Sequence, residues 1–136
     1  MYKKILATVT LLLLVGQLFA QGFTFNPDAA AQYQNAQNLL RMRRLTLAEK
    51  EFRELIEKYP EDIHVSLARR QLAMIMRDLR RHDEAIELLK EIIAKDKSPD
   101  NLRYAQTTIL DILHETQRFK QGVELIEAWR HEAPQD

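Results

Sequence analysis

The chain has 136 residues, and its 20 basic and 20 acidic side chains balance to a formal net charge of zero. This balance gives no reason to expect a general polyanion binder, and nucleic acid is not expected as a partner. The absence of cysteine excludes disulfides, thiolate metal sites, a cysteine nucleophile and lipid attachment to cysteine, so the chain is not a cysteine-anchored lipoprotein.

The first twenty residues have the three parts of a secretory signal peptide. Lys3 and Lys4 form a basic start, residues 5–15 are an apolar core, and Ala20 supplies a small residue for cleavage. The core is shorter than the roughly 20 residues of a comfortable membrane span. We predict export, to the periplasm in the first place, with cleavage near Ala20 and a linker at residues 21–27. Because Leu18 is larger than the usual alanine before a cleavage site, an uncleaved N-terminal anchor is the alternative.

Three later segments align without gaps at a spacing of 37 residues, which indicates a repeated structural unit. A small residue recurs at Ala48, Ala85 and Gly122, where two helices joined by a short turn would approach closely. Gly122 is expected to answer an especially tight contact, because glycine costs about 1 kcal/mol in a helix relative to alanine. Large apolar residues recur four and seven positions later, at Phe52, Leu89 and Ile126 and then at Leu55, Ile92 and Trp129.

Each unit is predicted to contain two amphipathic helices, because apolar positions recur at spacings of three and four. In the first unit these helices fall near residues 28–43 and 46–59. Asp62 and Ser98, the latter followed by Pro99, are expected to cap the first helices of the later units. The predicted fold is an all-α superhelix of three helical hairpins, a solenoid, over residues 28–136, with units at about 28–61, 62–98 and 99–134.

The stretch from Ala48 to Pro60 resembles the second-helix signature of tetratricopeptide repeats, with Phe52 and Leu55 at the matching positions. Phe52 to Pro60 is similar to repeats of bacterial periplasmic outer-membrane assembly lipoproteins and of the Tol–Pal coordinator family. The period is 37 residues rather than the family's 34, and the first-helix Trp, Leu-Gly and Tyr positions are mostly absent. The resemblance implies a helical-repeat scaffold that works in envelope assembly or maintenance.

No motif of a catalytic site is present, so we do not expect an enzyme, a cofactor or a small-molecule substrate. Asp111 and His114 could supply two metal ligands, but a zinc site needs three or four. In the alignment of the three repeats His82 takes the same position as Leu45 and Phe119, and it is interpreted as a half-buried turn residue.

The resemblance implies that a protein or peptide partner binds the concave wall lined by the first helices. The matching positions are Tyr33, Gln37, Arg41, Arg70, Met74, Arg77, Tyr104, Asp111, His114 and Glu115. Each of these could instead be an ordinary surface residue.

Two other surfaces are candidates for contacts. Arginines recur where each first helix turns into its second, at Arg41, Arg43, Arg44, Arg77, Arg80, Arg81 and Arg118, and they either complement helix dipoles or meet an acidic partner or lipid headgroups. Tetratricopeptide arrays commonly end in a further polar helix, which is missing after the third hairpin. Val123, Leu125 and Trp129 are therefore predicted to be partly exposed, and a homo-oligomer formed through them is the alternative function.

Overall fold

The computed structural model describes residues 24–96 and 98–132, which form six α-helices and no strand within those ranges. The predicted all-α class is confirmed. The predicted signal peptide at residues 1–20 and Pro134 lie outside the described residues. The helices are α1 (Pro27–Arg41), α2 (Leu45–Lys58), α3 (Val65–Asp78), α4 (His82–Lys95), α5 (Pro99–Glu115) and α6 (Phe119–Glu132).

The helix boundaries repeat with the period found in the sequence. The helices α2, α4 and α6 begin at Leu45, His82 and Phe119, each 37 residues after the last. The helices α1, α3 and α5 end at Arg41, Asp78 and Glu115, with the same spacing. The repeated pattern of small and apolar residues is therefore also a repeat of helix ends.

The turns that follow α1, α3 and α5 share one backbone conformation. Arg43, Arg80 and Gln117, again 37 residues apart, have φ values of 57°, 61° and 59°, in the left-handed region. The amide of the next residue then donates back to a carbonyl in the last helical turn, from Arg44 to Leu39 (2.9 Å), Arg81 to Met76 (2.8 Å) and Arg118 to Leu113 (2.7 Å). This is the hydrogen-bond pattern of a Schellman cap, which ends a helix and sets the direction of the chain.

The described residues belong to two compact units, with the boundary between Ala68 and Arg69. In the first unit α1 packs against α2. The residues buried at this contact include Ala29 and Ala36 of α1 and Ala48, Phe52 and Leu55 of α2. Small side chains on α1 thus face large ones on α2, which lets the two helices pack closely.

A buried carboxylate ties the segment before α1 to the loop before α3. Asp62 is 1% exposed, and its Oδ2 accepts from the amide of Asn26 at 2.7 Å. Its Oδ1 accepts from the amide of His64 at 2.9 Å and lies 2.7 Å from Nδ1 of the same residue. Backbone bonds from Thr24 to Glu61 (2.9 Å) and from Ile63 to Thr24 (3.0 Å) complete this bridge. Asp62, expected to cap α3, thus bonds the amide of His64, just before that helix, and holds the start of α1.

In the second unit α5 packs against both α4 and α6. The core is formed mainly by branched aliphatic side chains at spacings of three and four, which include Leu72, Ile75, Ile86, Leu89, Ile92, Ile109, Ile112 and Leu113. Ser98 occupies the N-cap position of α5 with Pro99 first in the helix, but its hydroxyl makes no capping bond. Asp96 stabilises this junction instead, because it accepts from the Ser98 amide (2.8 Å) and from Nδ2 of Asn101 (2.7 Å).

The small residues that recur at Ala48, Ala85 and Gly122 are buried as expected. The prediction of an especially tight helix contact at Gly122 is wrong. Ala48 and Ala85 are fully buried, and Gly122 is buried in α6. A methyl group added to Gly122 would lie 3.8 Å from Cδ2 of Leu110, which is ordinary van der Waals contact. Alanine would therefore fit at this position, and no tight approach requires the glycine.

Candidate partner-binding surface

Three of the predicted contact residues lie on α1, in the first unit. The Tyr33 hydroxyl accepts a hydrogen bond from Nε2 of Gln37 at 2.7 Å. The Tyr33 ring also lies 5.8 Å from the ring of the buried Phe52 and 5.2 Å from that of His64, centroid to centroid. Arg41 is exposed one turn further on, where its guanidinium contacts the Asn38 amide oxygen. Tyr33 is thus fixed by its neighbours, whereas Arg41 stands on the surface.

In the second unit the predicted residues of α3 and α5 meet in two clusters, and the first surrounds Arg70. The guanidinium carbon of Arg70 lies 4.0 Å from the centroid of the Tyr104 ring, a cation–π geometry. Nη1 of Arg70 also donates to Oδ1 of Asn101 at 3.1 Å. Asn101 escaped the sequence analysis, although its position three residues before Tyr104 places both on one side of α5.

The second cluster is an ion pair between Arg77 and Glu115. Nε of Arg77 donates to Oε2 of Glu115 at 3.2 Å, and Nη2 donates to Oε1, so the contact is bidentate. The hydrogen bond from Arg77 lowers the pKa of Glu115, with a smaller lowering from the charges of His82 and Arg80. The same bond raises the pKa of Arg77, to which Asp111 adds a smaller attraction. Asp111 thus belongs electrostatically to this cluster.

An exposed methionine stands between the two clusters. Met74 follows Arg70 by four residues and precedes Arg77 by three, so all three side chains leave the same side of α3. Its side chain is 43% exposed. We call the surface formed by Arg70, Met74 and Arg77 with Tyr104, Asp111 and Glu115 the α3–α5 face. It presents a flexible apolar side chain between two arginines that internal contacts hold in place.

His114 does not join these clusters. It is exposed near the end of α5, and its ring centroid lies 5.6 Å from that of Phe119 in an edge-to-face arrangement. The other predicted contact residues of the second unit do belong to the two clusters or lie between them. Arg70 and Tyr104 form the first, Arg77, Glu115 and Asp111 form the second, and Met74 lies between. His114 instead contacts the first residue of α6.

Two arginines at the turns of the second unit, Arg81 and Arg118, have acidic or hydroxyl partners of their own. Arg81 donates to both carboxylate oxygens of Glu84 at 2.6 Å each. Arg118 donates to Asp83 at 2.6 Å and to the Thr116 hydroxyl at 3.0 Å. These contacts neutralise part of the positive charge that the sequence places at the turns. His82, beside them, is half-buried as predicted.

The helix α6 exposes apolar side chains, and the three that were predicted to be partly exposed are so. Val123 is 55% exposed, whereas Leu125 and Trp129 are half-buried. Phe119 and Ile126, which were not proposed for this role, are 56% and 50% exposed. The exposed apolar surface of α6 therefore consists of Phe119, Val123 and Ile126, which share one side of the helix.

Among residues 24–96 and 98–132, no three His, Asp or Glu side chains lie close enough together to hold a metal ion. In the same stretch of chain, no helix combines the length and the apolar character that crossing a membrane demands.

Known proteins do not add a family assignment. The sequence matches no protein-family model, and no curated protein matches it. The α3–α5 face and the exposed side of α6 are therefore interpreted from their own chemistry.

Proposed function

We propose that this chain is an exported, non-catalytic adaptor of tetratricopeptide type that binds a protein or peptide on the α3–α5 face. The solenoid arrangement of its three helix pairs and its location in the periplasm are parts of the same proposal. They are supported by the signal-peptide pattern of residues 1–20 and by the resemblance of Phe52 to Pro60 to envelope repeats. Envelope assembly or maintenance is the setting that this resemblance favours.

The observation that carries the proposal is the exposed Met74 between two ordered arginines. Arg70 is stacked on Tyr104, and Arg77 is paired with Glu115. A side chain already held in one conformation loses less entropy when a partner binds, and arginine, tyrosine and methionine are enriched at contact surfaces. Methionine also adapts its shape to apolar groups of different size. This surface suits a segment with an apolar side chain over Met74 and polar groups on both sides.

The first unit supplies further candidate contacts at Tyr33, Gln37 and Arg41. Tyr33 is held by Gln37 and by the ring of Phe52, so its position would not change on binding. We propose these residues as additional contacts of the partner, to be tested separately from the α3–α5 face.

A structural module that associates with itself through α6 is the second candidate. The exposure of Phe119, Val123 and Ile126 favours it, because adjacent apolar side chains on one helix side are typical of a contact surface. Both functions can coexist, since the two surfaces use different helices.

The adaptor proposal is tested by chemical cross-linking in cells that produce the tagged full-length gene product, followed by affinity capture. The variant carries Arg70→Glu and Arg77→Glu. We expect this variant to lose capture of the partner by tenfold or more, because both ordered cations are reversed. The control is Lys90→Glu with Lys95→Glu on α4, which changes the net charge equally and should capture normally.

Reversing Arg77 also places two carboxylates together at Glu115, so a second variant separates binding from folding. Met74→Asp leaves both arginines and their partners intact, and a normal melting temperature shows that the fold is retained. Loss of capture in both variants supports the proposal. Capture at the wild-type level in both would exclude the α3–α5 face.

A further inference from the structure

The exposed side of α6 corresponds to a buried side of α4. Val123 and Ile126 follow Ile86 and Leu89 by one period of 37 residues. Ile86 and Leu89 are 2% and 0% exposed, and α5 packs against the helix that carries them. In α4 this side is buried within the second unit. The side of α6 formed by Phe119, Val123 and Ile126 therefore has the pattern of a buried helix side, and it is exposed.

A head-to-tail stack of copies would place α1 of one copy on α6 of another, since α1 corresponds to α5 in the repeat. The buried residues Thr108, Ile109 and Ile112 of α5 have as their counterparts in α1, two periods earlier, the residues Gln34, Asn35 and Asn38. All three are exposed amides. Burying them against Phe119, Val123 and Ile126 would remove water from polar groups without offering hydrogen bonds in return. Packing of α1 from another copy against α6 is therefore unfavourable.

We propose that two copies of this chain pair through α6 in an antiparallel arrangement about a twofold axis, with Phe119, Val123 and Ile126 at the contact. This inference rests on the second candidate function and is independent of partner binding on the α3–α5 face. A twofold contact is self-complementary, so one apolar surface covers the other without a different partner.

The charges beside the apolar surface select the antiparallel direction. Lys120 and Glu127 are seven residues apart and so flank the surface on the same edge of α6. Antiparallel pairing brings Lys120 of each copy beside Glu127 of the other, which makes two ion pairs. A parallel twofold pair instead places these edges on opposite sides of the contact, where the charges do not meet. Within one copy Lys120 has a long contact of 3.9 Å to Glu124, which is weak at an exposed site and easily exchanged.

Arg130, at the end of the apolar surface of α6, also favours the antiparallel arrangement. Arg130 follows Ile126 by four residues and continues the exposed side of α6. In the antiparallel pair it comes opposite Phe119 of the second copy, where a guanidinium over an aromatic ring is favourable. Each end of the contact then holds one such pair.

The contact is small, and the dimer is therefore weak. A standard stable interface buries about 800 Å² on each partner, which is more than one side of a four-turn helix supplies. We expect a dissociation constant on the order of 10–100 µM. Association should accordingly appear only at high protein concentration or where the protein is concentrated locally.

Sedimentation velocity of the purified product of the full-length gene, from about 1 to 500 µM, measures this association. Intact mass spectrometry of the same sample shows whether the N-terminal segment has been removed. We expect a reversible monomer–dimer equilibrium that Val123→Asp with Ile126→Asp abolishes. These two residues are half exposed, so the variant should keep its melting temperature, and Lys90→Glu on α4 is the control that dimerises normally. A protein that stays monomeric throughout, or one that grows into higher oligomers, would overturn the proposal.

Charge exchange tests the direction of pairing. Lys120→Glu and Glu127→Lys should each weaken the dimer at least threefold, and the variant with both changes should restore it. Because the natural chain has no cysteine, oxidation of single-cysteine variants gives an independent reading. A mixture of Phe119→Cys and Arg130→Cys should form a mixed disulfide, whereas Phe119→Cys alone should not cross-link. Self-linking of Phe119→Cys, or a double exchange that does not restore the dimer, would contradict the antiparallel arrangement.

Discussion

At the scale of single residues, the ion pair between Arg77 and Glu115 orders the α3–α5 face more than it stabilises the protein. Its side chains are 33% and 38% exposed, and ion pairs at such sites contribute little to the free energy of unfolding. The bidentate geometry nevertheless limits the rotamers of both residues. The value of this pair is therefore that the Arg77 guanidinium is already in position when a partner arrives.

The pair should respond to acid in one direction. The pKa of Glu115 is lowered in the folded protein, so the carboxylate stays ionised, and the contact intact, at pH values where an unpaired glutamate has begun to protonate. The ordering is fully present above the pKa of an unpaired glutamate and is lost as pH falls through the lowered value. A ¹³C NMR titration of the Glu115 carboxylate should give a midpoint below the ordinary value of an unpaired glutamate. Arg77→Gln should move the Glu115 midpoint upward, and an unchanged midpoint would show that the pair does not form in solution.

At the scale of helices, much of the pattern could be predicted because the repeat is strict. The spacing of Ala48, Ala85 and Gly122 predicted three helix–turn–helix units, and the helix ends follow that spacing. The left-handed residues Arg43 and Arg80 could not be predicted, because arginine carries no preference for that conformation. The turn is recognised instead from the recurring backbone bonds around it.

The exposure of Ile126 on α6 was not predicted, for a physical reason. Ile126 takes the same position in the repeat as Phe52 and Leu89, which are fully buried, yet its side chain is half exposed. The periodicity of a helix shows which side is apolar, but burial depends on what lies against that side. Similarly, the cost of Gly122 suggested a tight contact, whereas the distance to Leu110 leaves room for a methyl group.

Gly122→Ala should therefore stabilise the protein. Alanine in the middle of a helix is favoured over glycine by about 0.5–1 kcal/mol, and the added methyl group meets Leu110 at an ordinary distance. Thermal unfolding followed by circular dichroism should show a melting temperature higher by a few degrees. The mirror control, Ala85→Gly at the matching position of α4, should lower it. A fall in the melting temperature of Gly122→Ala would mean that α5 and α6 approach more closely than described.

At the scale of the whole molecule, the two candidate surfaces belong to different parts of the repeat. The α3–α5 face is made by the first helices of two successive helix pairs, and the exposed side of α6 by a second helix. Variants of one surface should therefore leave the other unaffected, so that partner capture and dimerisation can be measured separately. The residues of the first surface were named from the resemblance to tetratricopeptide repeats, which gives the positions of a concave wall. Phe119 and Ile126 of the second surface were missed, because an apolar residue at helical spacing looks the same in the sequence whether it is buried or exposed.

The central claim is that the α3–α5 face contacts a partner in the cell, and photo-cross-linking at Met74 tests it most directly. A photoreactive phenylalanine analogue is placed at position 74, and at the exposed position of Ala94 on α4 as the control. We predict a discrete cross-linked product from position 74 that is absent from position 94 and that disappears with Arg70→Glu and Arg77→Glu. Equal products from both positions, or a product from position 94 alone, would contradict the claim.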